Sequence, residues 1–138
     1  MKVLIDTNII LDVLLNRLAF SANSKIVFDL AEQKRFTGFI SASAMTDIFY
    51  IARKEYKDNE IVYKAIEKLI DLFSVAPVFE KTITDALALR WKDFEDAVQY
   101  TVAKENGITH IITRNKNDYK PFDILCMSPE DFIIYIGN

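Results

Sequence analysis

Short apolar runs along this chain alternate with longer stretches whose apolar residues recur at helical spacing. Val3–Ile5 reads as a buried strand, and Asn8–Leu15 then places Ile9, Ile10, Val13 and Leu14 on one helical face. Ser21 or Asn23 can cap a second helix carrying Ile26, Val27, Leu30 and Ala31, which runs out near Lys34-Arg35. Phe36–Ile40 is a short strand, and Ser41 or Ser43 caps a helix over Ala42–Tyr56 bearing Ile48, Phe49, Ile51 and Ala52. Asp58, Asn59 and Glu60 open a further helix with Ile61, Ala65, Leu69, Leu72 and Phe73 on one face. Ser74–Phe79 is another strand, with Pro77 pointing to a sheet edge or a strand end. Thr84 caps a short helix through Ala86, Leu87 and Leu89, and Phe94–Glu105 is a helix stopped by Asn106-Gly107. Thr109–Thr113 and Ile124–Met127 are strands, and Ser128-Pro129 starts a last helix.

Strands alternating with helices predict an α/β fold with a mostly parallel central sheet covered on both faces. The chain has 138 residues with only three glycines and three prolines, so residues 1–138 are expected to form a single domain without a flexible linker. A net charge of -3 argues against broad attraction to nucleic acid, while leaving room for a basic rim around an acidic, metal-neutralised centre. The lone cysteine, Cys126, forbids an intramolecular disulfide or a multi-cysteine zinc site. A reducing cytoplasm is therefore the expected compartment. No signal peptide is read, and no apolar stretch approaches the ~18 residues of a membrane span.

The candidate chemistry lies in the carboxylates. Asp6 stands at the carboxyl end of the first strand, where open α/β sheets bind ligands, although an aspartate there can equally cap the following helix. Asp47 falls in a mostly apolar helical stretch, with Tyr50 and Ile51 at i+3 and i+4 rather than a lysine or arginine. It is either exposed or paired, because desolvating a carboxylate is costly. Asp93 is placed to cap the helix from Phe94, leaving Asp96 to point into a site at the helix's amino end while Glu95 points elsewhere. The strand Thr109–Thr113 delivers Arg114, Asn115 and Asp118 to the same edge of the sheet as Asp6. Carboxylates with no cation between them repel, whereas Mg²⁺ or Mn²⁺ accepts hard oxygen ligands and keeps several waters. The chemistry this favours is phosphodiester hydrolysis by a metal-activated water.

Asp6-Thr-Asn8, Asp47, Asp93-Phe-Glu-Asp-Ala97 and Ile111-Ile-Thr-Arg-Asn-Lys-Asn-Asp-Tyr119, in this order and spacing, resemble the PIN domain. The similarity covers essentially the whole chain and is nearest to the small prokaryotic group that includes the VapC-type toxins. The resemblance implies a three-layer α/β/α fold and a Mg²⁺- or Mn²⁺-dependent endoribonuclease, the toxin of a type II toxin–antitoxin pair. It also implies a homodimer held inactive by a small antitoxin. Carried over by position, Asp6, Asp47 and Asp96 match the principal acids, Thr113 the strand-end hydroxyl, and Asn8 the polar residue supporting the first acid. Two departures stand out. The second acid is more often glutamate, and Asn115 occupies the place where a fourth acid commonly follows the threonine-arginine pair. Asp118 is the carboxylate available for that role, and Asp93 could hold Asp96 or an outer water.

Competing readings are weaker. His110 stands alone, which leaves no His-dependent triad, and no glycine-rich phosphate loop exists. A phosphotransferase with Asp6 as nucleophile would need a second aspartate where Asn8 stands. Arg53, Lys54, Lys57, Arg114, Lys116 and Lys120 are candidate phosphate contacts, and Tyr50, Tyr56 and Tyr119 candidate base-stacking rings. An apolar face around Tyr50 and Tyr63 would suit a homodimer. The alternative to a nuclease is a degenerate PIN-like module that binds RNA or protein, on the strength of the shorter Asp47 and the displaced fourth acid.

Overall fold

Among the described residues five short strands pair side by side, all parallel, in the order β3-β2-β1-β4-β5. They are β1 (Lys2–Ile5), β2 (Thr37–Ser41), β3 (Ser74–Ala76), β4 (His110–Ile112) and β5 (Leu125–Met127) in a computed structural model that describes residues 1–115, 119 and 123–137. The chain builds outward from β1 to β3, then crosses back to lay β4 on the other side of β1. The reversal leaves a crevice beyond the carboxyl ends of β1 and β4, the place where open parallel sheets bind ligands.

Strand side chains alternate between two apolar layers, as the pleat requires. Val3, Ile5, Ile40 and Ile112 face one core with α1 (Thr7–Leu14), α2 (Ser21–Glu32), α3 (Ala42–Tyr56), α4 (Asn59–Leu72) and α7 (Pro129–Gly137). Leu4 and Ile111 face the other core, and Phe39 packs against it; α6 (Phe94–Glu105) covers that side, with α5 (Glu80–Leu89) against α6. The expected three-layer arrangement is present. Gly38 is required by close approach: a Cβ there would stand 2.4 Å from the Phe73 ring, which crosses β2. Gly107, at φ +65°, closes α6 in the left-handed conformation expected of Asn106-Gly107.

Local chemistry sets most element ends where the sequence places them. Ser41, Asp58 and Asp93 accept backbone N–H bonds at the starts of α3, α4 and α6, and Ser128 does so for α7. Several strand and helix ends shift by one residue, and three differences go further. The β3 strand stops at Ala76, because Pro77 lacks the N–H that a ladder needs. Helix α5 starts at Glu80, with the Phe79 N–H bonded to the Thr82 hydroxyl, and Thr84 lies inside it. Neither Ser21 nor Asn23 caps α2; Phe20 holds that position without a side-chain bond. Among the described residues no helix is long and apolar enough to cross a membrane.

Candidate metal centre

Parallel register brings the first two groups together. Ile5 pairs with Ile112, so the residues that follow them, Asp6 and Thr113, leave adjacent strands side by side. Asp6 is 5% exposed and Thr113 is fully buried. The Thr113 hydroxyl donates to Asp6 Oδ2 at 2.7 Å, and the Thr7 N–H donates to Oδ1 at 2.8 Å. Asp6 thus caps α1 from the carboxyl end of β1, which is the capping reading of a strand-end aspartate. The Asn115 N–H donates to the same Thr113 hydroxyl at 3.0 Å, which ties the turn after β4 to this pair.

The amino end of α6 supplies the opposing wall. Asp93 caps it by accepting the Asp96 N–H at 3.1 Å, which leaves the Asp96 side chain buried at 6% exposure. The Tyr119 hydroxyl donates to Asp96 Oδ1 at 3.4 Å, and its ring stands edge-on to Trp91 at 6.0 Å. Asp6 and Asp96 act on common neighbours. Burial first, then the charges of both aspartates, raises the Tyr119 phenol well above its ordinary range. Burial and the same two charges push the Cys126 thiol up to about 11, so it is a poor nucleophile.

Asp47 lies exposed on α3, and its charge reaches the α6 terminus. The sign is on Glu95. Its carboxyl is raised first by burial and then by Asp47, Asp6 and Asp93. Glu95 is exposed, in line with the expectation that it points elsewhere, yet the charges of Asp47, Asp6 and Asp93 still reach its carboxyl. Only tertiary placement shows this, since first-turn spacing says nothing of what lies opposite. Among the described residues no ion pair joins Asp6, Asp47, Asp93 or Glu95. The partly positive amino end of α6 is the fixed counter-charge nearest to Asp93, Glu95 and Asp96.

Asn8 is half-buried in the first turn of α1, while Asp118, Lys116 and Lys120 lie outside the described residues. Arg114 turns away from the crevice. It pairs with the fully buried Asp12 at 3.4 Å, and its guanidinium lies 4.0 Å from the centre of the Phe20 ring. Arg17 joins Asp12 at 3.3 Å, and burial holds the Asp12 carboxyl above its ordinary value against both arginines. This anchor behind Thr113 was missed in sequence; its signal is an aspartate embedded in the apolar run Ile9–Leu15. His110 bonds Thr109 and Tyr135, consistent with a structural role.

The donors around the crevice are carboxylates and hydroxyls, hard oxygen ligands that match Mg²⁺ or Mn²⁺ and not a soft metal. Among the described residues no three His, Cys, Asp or Glu side chains stand close enough to cage an ion unaided. Mg²⁺ needs no such cage, because it binds through one or two carboxylates and retains waters. The residues present fit such an ion.

The PIN domain family model matches residues 2–117. Ribonuclease VapC1 of Aquifex aeolicus (strain VF5) is 26% identical over 136 residues, covering 95% of this chain and 92% of that protein. The sarcin-ricin loop cleaving toxin VapC20 of Mycobacterium tuberculosis superposes with a TM-score of 0.67 at 16% identity, over 84% of this chain and 92% of its own. VapBC2 from Rickettsia felis, bound to a DNA fragment from its promoter, gives 0.69 at 15% identity over 93% and 98%. With the switch-point crevice, the Asp6–Thr113 pair and the acidic start of α6 in the order that family model spans, this chain belongs to the PIN domain family.

Proposed function

We propose that the protein is a Mg²⁺- or Mn²⁺-dependent endoribonuclease and the toxin of a toxin–antitoxin pair. The observation that carries the reading is the convergence of Asp6 and Asp96 at the sheet's switch point, both buried, with the neighbouring Cys126 thiol pushed up to about 11. The ribonuclease name of the 26% identical relative supports RNA as the substrate.

Asp6 and Asp96 would hold the ion, with Asp47 reaching it from the exposed face of α3 and Asp118 as a further candidate ligand. Bound there, Mg²⁺ or Mn²⁺ would lower the pKa of a water and offset the charge of an approaching phosphodiester. The chain's own part is orientation. Thr113 and the Thr7 N–H fix both oxygens of Asp6, Tyr119 and the Asp93 cap fix Asp96, and Asn8 lies half-buried in the first turn of the helix that Asp6 caps. Asn115 acts through its backbone bond to Thr113.

A small antitoxin and a homodimer belong to the same proposal. The Rickettsia complex supports the first, as does an apolar groove of about 510 Å³ lined by Val13, Phe28, Ile61 and Leu72 and edged by Lys64 and Lys68. The test is cleavage of a panel of structured RNAs, tRNA included, by protein freed of any co-purifying partner. Cleavage should require Mg²⁺ or Mn²⁺ and stop with EDTA. A metal-loaded protein that binds RNA and cuts none would move the assignment to the binding module.

A further inference from the structure

The structure separates three candidate stacking tyrosines. The Tyr56 hydroxyl is tied to the Leu14 carbonyl, and Tyr119 is buried against Asp96. Tyr50 is 66% exposed, and its hydroxyl makes no hydrogen bond among the described residues. Its ring is braced edge-to-face by Phe49 at 5.5 Å, and Phe49 in turn rests on Tyr63 at 4.9 Å. A ring held by its neighbours yet open to solvent can take a stacked partner with little loss of its own freedom.

The cations separate in the same way. Arg53 is bonded to Asn59 through Nε, and Arg114 to Asp12 and the Phe20 ring, so both are already partly engaged. Lys54 and Lys57 are exposed and make no ion pair among the described residues. Asp47, Tyr50 and Lys54 follow one another at i+3 and i+4, so they form one stripe on the exposed side of α3, and Lys57 is the left-handed capping residue just beyond its end. At 1.5 Å per residue, the stripe from Asp47 to Lys54 is roughly 10 Å long.

We infer that this stripe is the track of the RNA substrate: an unpaired base stacks on Tyr50, and Lys54 and Lys57 hold the phosphates leading away from Asp47. The inference rests on the ribonuclease reading and names what that site receives. The substrate is unpaired RNA, in a loop or a single strand, because a base inside a duplex has no free face for the ring. Stacking of this kind is tolerant of base identity, so the stripe positions the strand without reading its sequence. The lysines also solve a charge problem. The crevice is acidic and the chain carries -3 overall, so a polyanion needs a local cation to approach.

The experiment measures binding of a fluorescent single-stranded oligoribonucleotide by anisotropy. Two silenced forms serve as hosts, Asp96→Asn with Mg²⁺ and the wild type in EDTA. In both hosts Tyr50→Ala should weaken binding by about 5- to 100-fold, the range for loss of one aromatic–base stack, while Tyr50→Phe stays near the parent. Lys54→Ala should lower the slope of log affinity against log salt by about 0.7, as loss of one phosphate contact on a single strand requires. Equal affinity for Tyr50→Ala and its parent overturns the inference and leaves the ribonuclease reading standing. Hosts that bind no RNA at all remove both. Light scattering that shows Tyr50→Ala dissociating a dimer, with RNA affinity unchanged, gives the stripe to a second copy.

Discussion

Thr113→Val isolates the bond that orients Asp6. Valine keeps the branched shape of a fully buried residue and removes only the hydroxyl that donates to Asp6 Oδ2 at 2.7 Å and accepts from the Asn115 N–H at 3.0 Å. A hydrogen bond to a charged, desolvated acceptor contributes about 1.5–3 kcal/mol net, and the stranded oxygen of a buried carboxylate belongs to that figure. Asn115 is exposed, so its N–H recovers a bond from water and adds little. The expected loss is therefore about 2–3 kcal/mol. With a urea m-value of about 2 kcal/mol/M for a domain of this size, the midpoint should fall by about 1–1.5 M with m unchanged. Thr7→Val is the matched control. Its buried hydroxyl has no hydrogen-bond partner among the described residues, so replacing it should be neutral or slightly stabilising. Equal midpoints for Thr113→Val and wild type, or an equal loss from Thr7→Val, would refute the claim that a directed bond holds Asp6.

Glu95 gives the metal-free protein a pH dependence. Its folded pKa lies above the ordinary 4.5, so between 4.5 and the raised value the folded state holds a proton that the unfolded state has lost. Stability must fall as pH rises through that window, and Glu95→Gln should flatten the fall and be the more stable protein above it, as urea midpoints from pH 4 to 7 would show. Cys126 should resist iodoacetamide at pH 8, where about one thiol in a thousand is ionised for a pKa of about 11. Cys126→Ser should retain cleavage, and an inactive variant of unchanged fold would bring the thiol back as a reacting group.

The parallel sheet and its layers were legible because apolar runs and helical periodicity both report burial, and these strands are buried on two faces. Asp6, Asp93 and Asp96 were legible because a strand end and a helix start fix where a side chain can go. Glu95 was not, since its neighbours Asp47 and Asp6 come from distant segments and only packing brings them opposite. Arg114 shows the same limit: a basic residue after a strand end reads as a phosphate contact, yet the buried Asp12 takes it. The end of β3 and the start of α5 were misplaced because a single proline and a threonine hydroxyl bonded backwards outweigh apolar content at element boundaries. Asp118, the expected fourth acid, lies outside the described residues.

Asp6 and Asp96 are proposed to share a divalent ion that catalysis requires. This is tested most directly by the rate of RNA cleavage against Mg²⁺ concentration for wild type, Asp6→Asn and Asp96→Asn, each shown folded by its urea midpoint. Cleavage by the wild type should show a saturable Mg²⁺ dependence, abolished by EDTA, and fall by at least about a hundredfold in each variant. Cleavage that persists in EDTA and survives Asp96→Asn would contradict it.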